Sequence, residues 1–433
     1  MSFNFDNPSI KKNMYKGTFG IEKESLRIDT KGYLSHTKHP FHDNPHIDRD
    51  FCENQVEIVT DVYESTQSVY EHLEELHNTV IKNLSNLKSG RELLWPFSNP
   101  PYVKGESDIP IASFKGSLKG KELYRKYLAK KYGKKKMLFS GIHFNFSFDD
   151  KLFEEGFKES RSTSFKEYKN QIYLELAEKM TKYSWLIVYL TAASPIMNGS
   201  FLDESLMEKD VVTPYSSARC SEIGYWNNFI PTLKYNTLTN YISSIQSYVD
   251  SGQLKSFSEL YYPIRLKSRG ESSLENLAQS GVTHIELRML DLNPLSPVGI
   301  MKEDMDFIHM LVIYLMSQRN EDFTESEQIK AITNVKLAAK YDDENTVINF
   351  KGEDLSVKSA ALNVLCDMEK FFGKYNQSNA LEIIKYQKDK ILNKNKRYAE
   401  IIRNKFGQNY VEKGLELSFT YADNICKEVA LNV

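Results

Sequence analysis

The chain has 433 residues, and 56 basic side chains against 58 acidic ones leave a formal net charge of −2. With 26% charged and 41% hydrophobic residues it has a globular composition, and 20 Gly and 13 Pro are too few for a collagenous or low-complexity chain. Near-neutral charge excludes a general nucleic-acid or anionic-membrane binder, because both need a broad basic field.

The N-terminus, MSFNFDNPSIKKN, has no apolar core of the kind a signal peptide needs. A first helix is expected after Ser65 or Thr66 as N-cap, with Val69, Leu73, Leu76, Val80 and Leu84 on one face. A second runs from about Phe165 through Trp185 and must end or kink near Ser194-Pro195. Residues 1–300 mix alternating segments with helices, whereas 300–433 read almost wholly helical, including a long Lys-rich pattern over Ala380–Phe406. The longest apolar stretches, Trp185–Met197 and Phe307–Met316, are too short to span a bilayer. The four cysteines (Cys52, Cys220, Cys366, Cys426) lie far apart, which argues against structural zinc, a redox dithiol or a disulfide framework. No repeat or flexible linker interrupts the chain. The expectation is a cytoplasmic protein with one catalytic unit over 1–433: a sheet-containing core at about 15–300 and a helical region at about 300–433.

The chemistry falls on alternating segments, where residues i and i+2 share one side of a pleated strand. Phe19–Arg27 puts Glu22 and Glu24 together, and Ile142–Phe148 sets His143, Asn145 and Ser147 opposite Phe144, Phe146 and Phe148. In Tyr262–Lys267, Arg265 and Lys267 oppose Ile264 and Leu266; in Thr283–Leu290, His284, Glu286 and Arg288 oppose Ile285, Leu287 and Met289. Asp50–Thr60 adds Glu53, Gln55 and Glu57 on one face, with Asp50 just before it. Any one such strand is explained by a sheet with one face in water. Together they concentrate Glu, His, Asn and Arg. Two carboxylates about 4 Å apart repel by roughly 4 kcal/mol at an effective dielectric near 20, so such a cluster must protonate, pair with Arg or bind a cation. Carboxylates with a single His favour Mg²⁺ or Mn²⁺ over zinc. Arg265, Lys267 and Arg288 would then face a phosphate chain. Only 12 of the basic residues are Arg and 44 are Lys, so each Arg inside a pattern is informative.

Other motifs fail. Gly116-Ser-Leu-Lys-Gly-Lys121 is one residue short of a P-loop and is followed by Glu122. GxGxxG and GxSxG are absent. In His72-Leu-Glu-Glu-Leu-His77 the histidines stand about 140° apart around a helix and cannot share a metal. His36, His39, His42 and His46 lie in a Pro-punctuated loop and read first as turn and packing residues, with a metal site as the alternative.

The segments Phe19–Arg27 (FGIEKESLR), Leu34–Pro40 (LSHTKHP), Asp50–Thr60, Trp95-Pro-Phe-Ser98, Ser140–Phe146 (SGIHFNF), Ala193-Ser-Pro195, Gly224-Tyr225, Tyr262-Pro-Ile-Arg265 and Ile285-Glu-Leu-Arg288 through Asp291-Leu-Asn-Pro294 resemble, in order, bacterial glutamate–cysteine ligase. The resemblance covers about residues 15–300. It implies an α+β, glutamine-synthetase-like fold, with an antiparallel sheet forming a funnel whose polar inner face holds metals. It also implies ATP and two or three Mg²⁺ (Mn²⁺ as the alternative), used to join the γ-carboxylate of L-glutamate to the amine of L-cysteine. On that likeness Glu22, Glu24, Asp50, Glu57, His143 and Glu286 would be metal ligands. Arg288, Arg265 and Lys267 would meet the ATP phosphates, and Tyr124, Arg125, Arg219, Tyr225 and Asn145 would line the amino-acid sites. No nucleic acid, membrane or obligate protein partner is implied. A sister ligase with another amine, a metal-dependent phosphohydrolase and a non-catalytic metabolite binder are the competing readings.

Overall fold

Alternating apolar and polar side chains build one antiparallel sheet at the centre of the chain. The computed structural model describes Phe3–Leu431, so residues 1–2 and 432–433 of the expected unit lie outside the described residues. In chain order the strands are β1 (Gly17–Ile28), β2 (Ile47–Arg49), β3 (Gln55–Val59), β4 (Leu93–Leu94), β5 (Gly141–Phe148), β6 (Ile196–Asn198), β7 (Asp210–Val212), β8 (Ile264–Lys267), β9 (His284–Asp291), β10 (Val347–Phe350) and β11 (Glu353–Ser356). The main sheet runs β2-β3-β1-β5-β9-β8, with β4 also paired to β1. Its pairs are antiparallel throughout.

One face of this sheet is apolar and covered by helices. Phe19 of β1 and Phe146 of β5 meet the ring of His309 on the helix Lys302–Ser317, at 4.9 and 5.5 Å between centroids. Phe148 packs on Tyr173 of the helix Phe165–Thr191. Side chains of this size contribute about 1.5–3 kcal/mol each when buried, which fixes the helices to one side and leaves the other for chemistry. The helix Thr66–Ser85 begins as expected: Ser65 accepts the Ser68 N–H, and Val69, Leu73, Leu76, Val80 and Leu84 are buried. The helix Phe165–Thr191 stops short of Ser194-Pro195, also as expected.

Three expectations are corrected. Asp50–Thr60 is not one strand: residues 50–54 form the turn between β2 and β3, so only Gln55–Val59 alternates. The pattern over Ala380–Phe406 divides into the helices Ser378–Leu392 and Tyr398–Phe406. Asn393 breaks it by accepting the Asn395 N–H, and the chain folds back so that the Tyr398 ring covers the Lys390 ammonium at 4.1 Å. Finally, the tail contains a hairpin, β10–β11, whose two turn residues Lys351 and Gly352 both take positive φ (54° and 81°). That is the left-handed pair a two-residue hairpin demands.

Candidate active site

Register alone gathers the polar side chains. β1 sets Glu22 opposite His143 of β5 and Glu24 opposite Glu57 of β3. β9 sets Glu286 opposite both Asn145 of β5 and Arg265 of β8. Between Ile142 and Phe144 the β5–β9 register shifts. Bulges of this kind re-aim side chains beside active sites, and here His143 is turned among three carboxylates. Its Nδ1 lies 3.0 Å from Glu22 Oε2 and 4.0 Å from Glu286 Oε1, and its Nε2 lies 3.8 Å from Glu24 Oε1. Asn145 Nδ2 donates to Glu22 Oε1 at 3.1 Å.

Cations flank the far side of this group. Arg288 Nη1 donates to Glu286 Oε2 at 2.9 Å, with Lys267 Nζ at 3.6 Å and Arg265 Nη1 at 3.7 Å from the same carboxylate. These three charges overcome burial and hold Glu286 well below the usual carboxylate range. Glu22 is pushed up by burial and by the Glu286 charge, but His143 and Lys267 outweigh them and its pKa is lowered. Glu57 is the opposite case. Burial, then the charges of Asp50, Glu22 and Glu24, push it well above the normal value, and burial with Asp50 raises Glu24 as well.

The face is left partly unsatisfied. His143 Nε2 and Asn145 Oδ1 are buried without a hydrogen-bond partner, although buried polar atoms are normally paired. One ligand atom each from Glu22, His143 and Glu286 lie within 4.8 Å of one another. Hard carboxylate oxygens, one bare imidazole nitrogen and repelling acids together fit a divalent cation of the magnesium class.

Other expected residues lie outside the strands, and not all of them reach this face. Asp50 sits in the β2–β3 turn, close enough to perturb Glu24 and Glu57. Glu53, expected on the same face as Glu57, instead turns away to accept the N–H groups of His39 and Ser113, because its segment is turn and not strand. Arg125, on the helix Lys119–Tyr132, spends its donors on backbone: the Asp50 carbonyl from Nε, Arg49 O at 3.2 Å and Lys121 O at 3.1 Å. It therefore clamps the turn that carries Asp50. Arg265 is similarly anchored, to Ser258 O at 2.6 Å and Leu260 O at 3.1 Å. Tyr124 is half-buried on the same helix as Arg125, and burial raises its phenol pKa.

Arg219 is the most constrained of the set. A Cβ on Gly141 would lie 2.3 Å from its guanidinium, and one on Gly224 would lie 1.9 Å from its carbonyl oxygen. Both positions must be glycine for the arginine to lie where it does, its Nη2 donating to Arg288 O at 3.0 Å. Arg219 Nε has no partner. Arg219, Tyr225 and Arg288 line an open cleft. Cys220, Trp226 and Tyr261 join them there and were missed from sequence. Tyr261 adjoins the quoted Tyr262–Arg265 segment and Trp226 adjoins Gly224-Tyr225, so adjacency to a motif was the available signal.

The family model described as glutamate-cysteine ligase matches residues 4–257 and 250–338. The glutamate–cysteine ligase of Clostridium acetobutylicum is 31% identical over 463 residues, covering 93% of this chain and 95% of that protein. The glutathione biosynthesis bifunctional protein of Listeria monocytogenes is 37% identical over 435 residues, covering 96% of this chain and 56% of that protein. The chain thus spans about half the length of such bifunctional relatives. Among solved structures, a bifunctional glutathione synthetase from Pasteurella multocida superposes with a TM-score of 0.83 at 25% identity, covering 97% of this chain and 54% of that one. A glutamate–cysteine ligase from Francisella tularensis, solved with AMP, gives 0.83 at 24% identity, covering 95% and 89%. These proteins share the overall fold of this chain. The chain belongs to the glutamate–cysteine ligase family.

Proposed function

We propose that this chain joins the γ-carboxylate of L-glutamate to the amine of L-cysteine with ATP, giving γ-glutamylcysteine, ADP and phosphate, the first step of glutathione biosynthesis. The observation that carries the reading is the sheet face itself: Glu22, His143 and Glu286 converge on one point, with Arg288, Lys267 and Arg265 directly beyond it. Family membership and the AMP complex of the Francisella relative support ATP as co-substrate.

A carboxylate is a poor electrophile. A γ-oxygen of glutamate first attacks the terminal phosphorus of ATP, and ADP leaves. The cysteine amine then attacks the acyl carbon of the γ-glutamyl phosphate, loses a proton, and phosphate leaves. Glu22, Glu24, Asp50, Glu57, His143 and Glu286 would hold two or three Mg²⁺, with Mn²⁺ as the substitute. When bound, such ions neutralise phosphate charge and polarise the transferring group. Arg288 and Lys267 would meet the phosphoryl group and stabilise the negative charge that accumulates on it. Arg265, fixed by two backbone carbonyls, contributes its charge from a rigid position. Arg219, with an unpaired buried Nε, is placed to take a substrate carboxylate beside Tyr225, and Asn145 orients Glu22. Arg125 acts by holding the Asp50 turn, and Tyr124, one residue before it on the helix, would line an amino-acid site. Fixing both amino acids makes amide formation effectively unimolecular.

The continuous apolar core supports treating 1–433 as one catalytic unit. No helix among the described residues is long and apolar enough to cross a membrane, and the four cysteines are unpaired. We place the reaction in the cytoplasm, where ATP is available and thiols stay reduced. No obligate protein partner is needed for the chemistry. The test is ADP release with glutamate, cysteine and Mg²⁺, followed by product mass. The expected product is γ-glutamylcysteine; ADP release with a different amine would make the chain a sister ligase, and phosphate release without amino acids a phosphohydrolase.

A further inference from the structure

Two histidine motifs that the acidic face leaves unused meet at the β2 end of the sheet. Neither works alone. In the histidine-rich loop His36 bonds Asp108 at 2.8 Å and His39 is buried, while on the helix Thr66–Ser85 His77 is buried against Lys23 Nζ at 2.9 Å. His42 is exposed, its ring edge to face with His39, which leaves His46 and His72, one from each motif. Their rings stand 5.4 Å apart, edge to face at 81°. Asp61, just beyond β3, joins them, and one ligand atom from each of the three lies within 4.8 Å of the others.

The hydrogen bonds prepare both rings as ligands. His46 Nδ1 lies 3.0 Å from the Val59 carbonyl. A carbonyl only accepts, so that nitrogen carries the proton and Nε2 keeps the lone pair, the usual arrangement behind a metal-bound histidine. His46 Nε2 is 3.9 Å from Asp61 Oδ2. His72 Nδ1 accepts the Asp61 N–H at 3.2 Å, so its lone pair also points to this corner, and an ion competes with that single long bond. Ligand separations near 3.4 Å follow from bond lengths of about 2.0–2.2 Å in a tetrahedral site. The Asp61 carboxylate is 65% exposed and free to turn inward toward the rings. Two imidazoles and one carboxylate suit a borderline ion, whereas Mg²⁺ prefers an all-oxygen set.

We propose that His46, Asp61 and His72 form a zinc site separate from the acidic face, with solvent as the fourth ligand, which clamps the β2–β3 hairpin to the helix Thr66–Ser85. The full chain, in excess Mg²⁺ to fill the carboxylate face, is titrated with Zn²⁺ against a chromophoric chelator. Visible absorption of Co²⁺ reports the ligand geometry independently. Wild type should take up one equivalent more than the H46Q/H72Q double variant, each single variant should weaken that site at least tenfold, and a zinc-dependent rise in Tm should vanish with it. D61N, altered only at an exposed side chain, provides the same comparison if the histidine variants fold poorly. Equal zinc stoichiometry and affinity in wild type, the double variant and D61N would overturn the proposal. So would displacement of all bound zinc by Mg²⁺, which would place the ion on the acidic face.

Discussion

Arg27 and Glu22 lie on the same strand, β1, and both are ionic groups largely withdrawn from water, yet their surroundings are built in opposite ways. Around Arg27 both Nη atoms and both Glu92 oxygens are partnered, although Nε is not. Its Nη1 donates to Glu92 Oε2 at 3.1 Å, its Nη2 to Thr37 O at 2.7 Å, and Ser35 and Thr37 hydroxyls donate to the other Glu92 oxygen. Around Glu22 the bonds stay open: His143 Nε2 and Asn145 Oδ1 have no partner, and Glu24 stands directly opposite Glu57. A network that only has to hold a loop pairs its charges with each other and most of its donors and acceptors internally. One that waits for a ligand keeps some in reserve, at a cost in stability of the empty protein.

Breaking the closed network should have the largest effect. Arg27→Met leaves Glu92 buried without its charge partner and is expected to cost about 3–5 kcal/mol, read as a drop in the urea midpoint. Activity per folded molecule should survive. An unfolding free energy within about 1 kcal/mol of wild type would mean that Glu92 finds another partner.

Next comes Glu286→Gln, which removes a carboxylate from the open face and no volume from the core. The expected loss in kcat is about 10²–10³-fold, with Tm changed by only a few degrees. Full activity at saturating Mg²⁺ would remove β9 from the site.

The opposite face of β1 sharpens the contrast through pH. Burial lowers the His309 pKa to about 4, below the unfolded value of about 6.5. The unfolded chain therefore takes up this proton first as pH falls. His309 contributes its stability fully above about 6.5 and loses it progressively toward 4, about 2 kcal/mol by pH 5. Denaturant titrations at pH 7 and 5 should show this slope in wild type and a shallower one in His309→Leu.

The smallest expected change has the opposite sign. Glu57→Gln relieves a repelled, buried acid and should stabilise the magnesium-free protein by about 1–2 kcal/mol while weakening Mg²⁺ binding. A destabilised variant would show that Glu57 is already satisfied without metal.

Much of the candidate site was legible because strand alternation is local: parity alone put Glu22 with Glu24, and Glu286 with Arg288. Glu53 misled for the same reason, since parity carries no meaning where the chain turns. The role of Arg125 as a clamp on the Asp50 turn was not legible either, because its acceptors are backbone carbonyls that leave no mark in side-chain pattern. Nor was the split of the last long helix, where Asn393 and the pull of Tyr398 toward Lys390 outweigh continuous helical spacing.

Sequence by itself determined which side chains share a face, where the first helices begin and end, and which family the motifs belong to. Only tertiary structure decided which faces meet. Glu22 and His143 are 121 positions apart, and their contact depends on the β1–β5 register and a bulge opposite β9 that no local pattern encodes. The same holds for Arg219, whose position exists because Gly141 and Gly224, distant in sequence, leave the space it fills. Local spacing fixes direction, whereas long-range pairing and packing fix distance, and the chemistry of a site depends on distance.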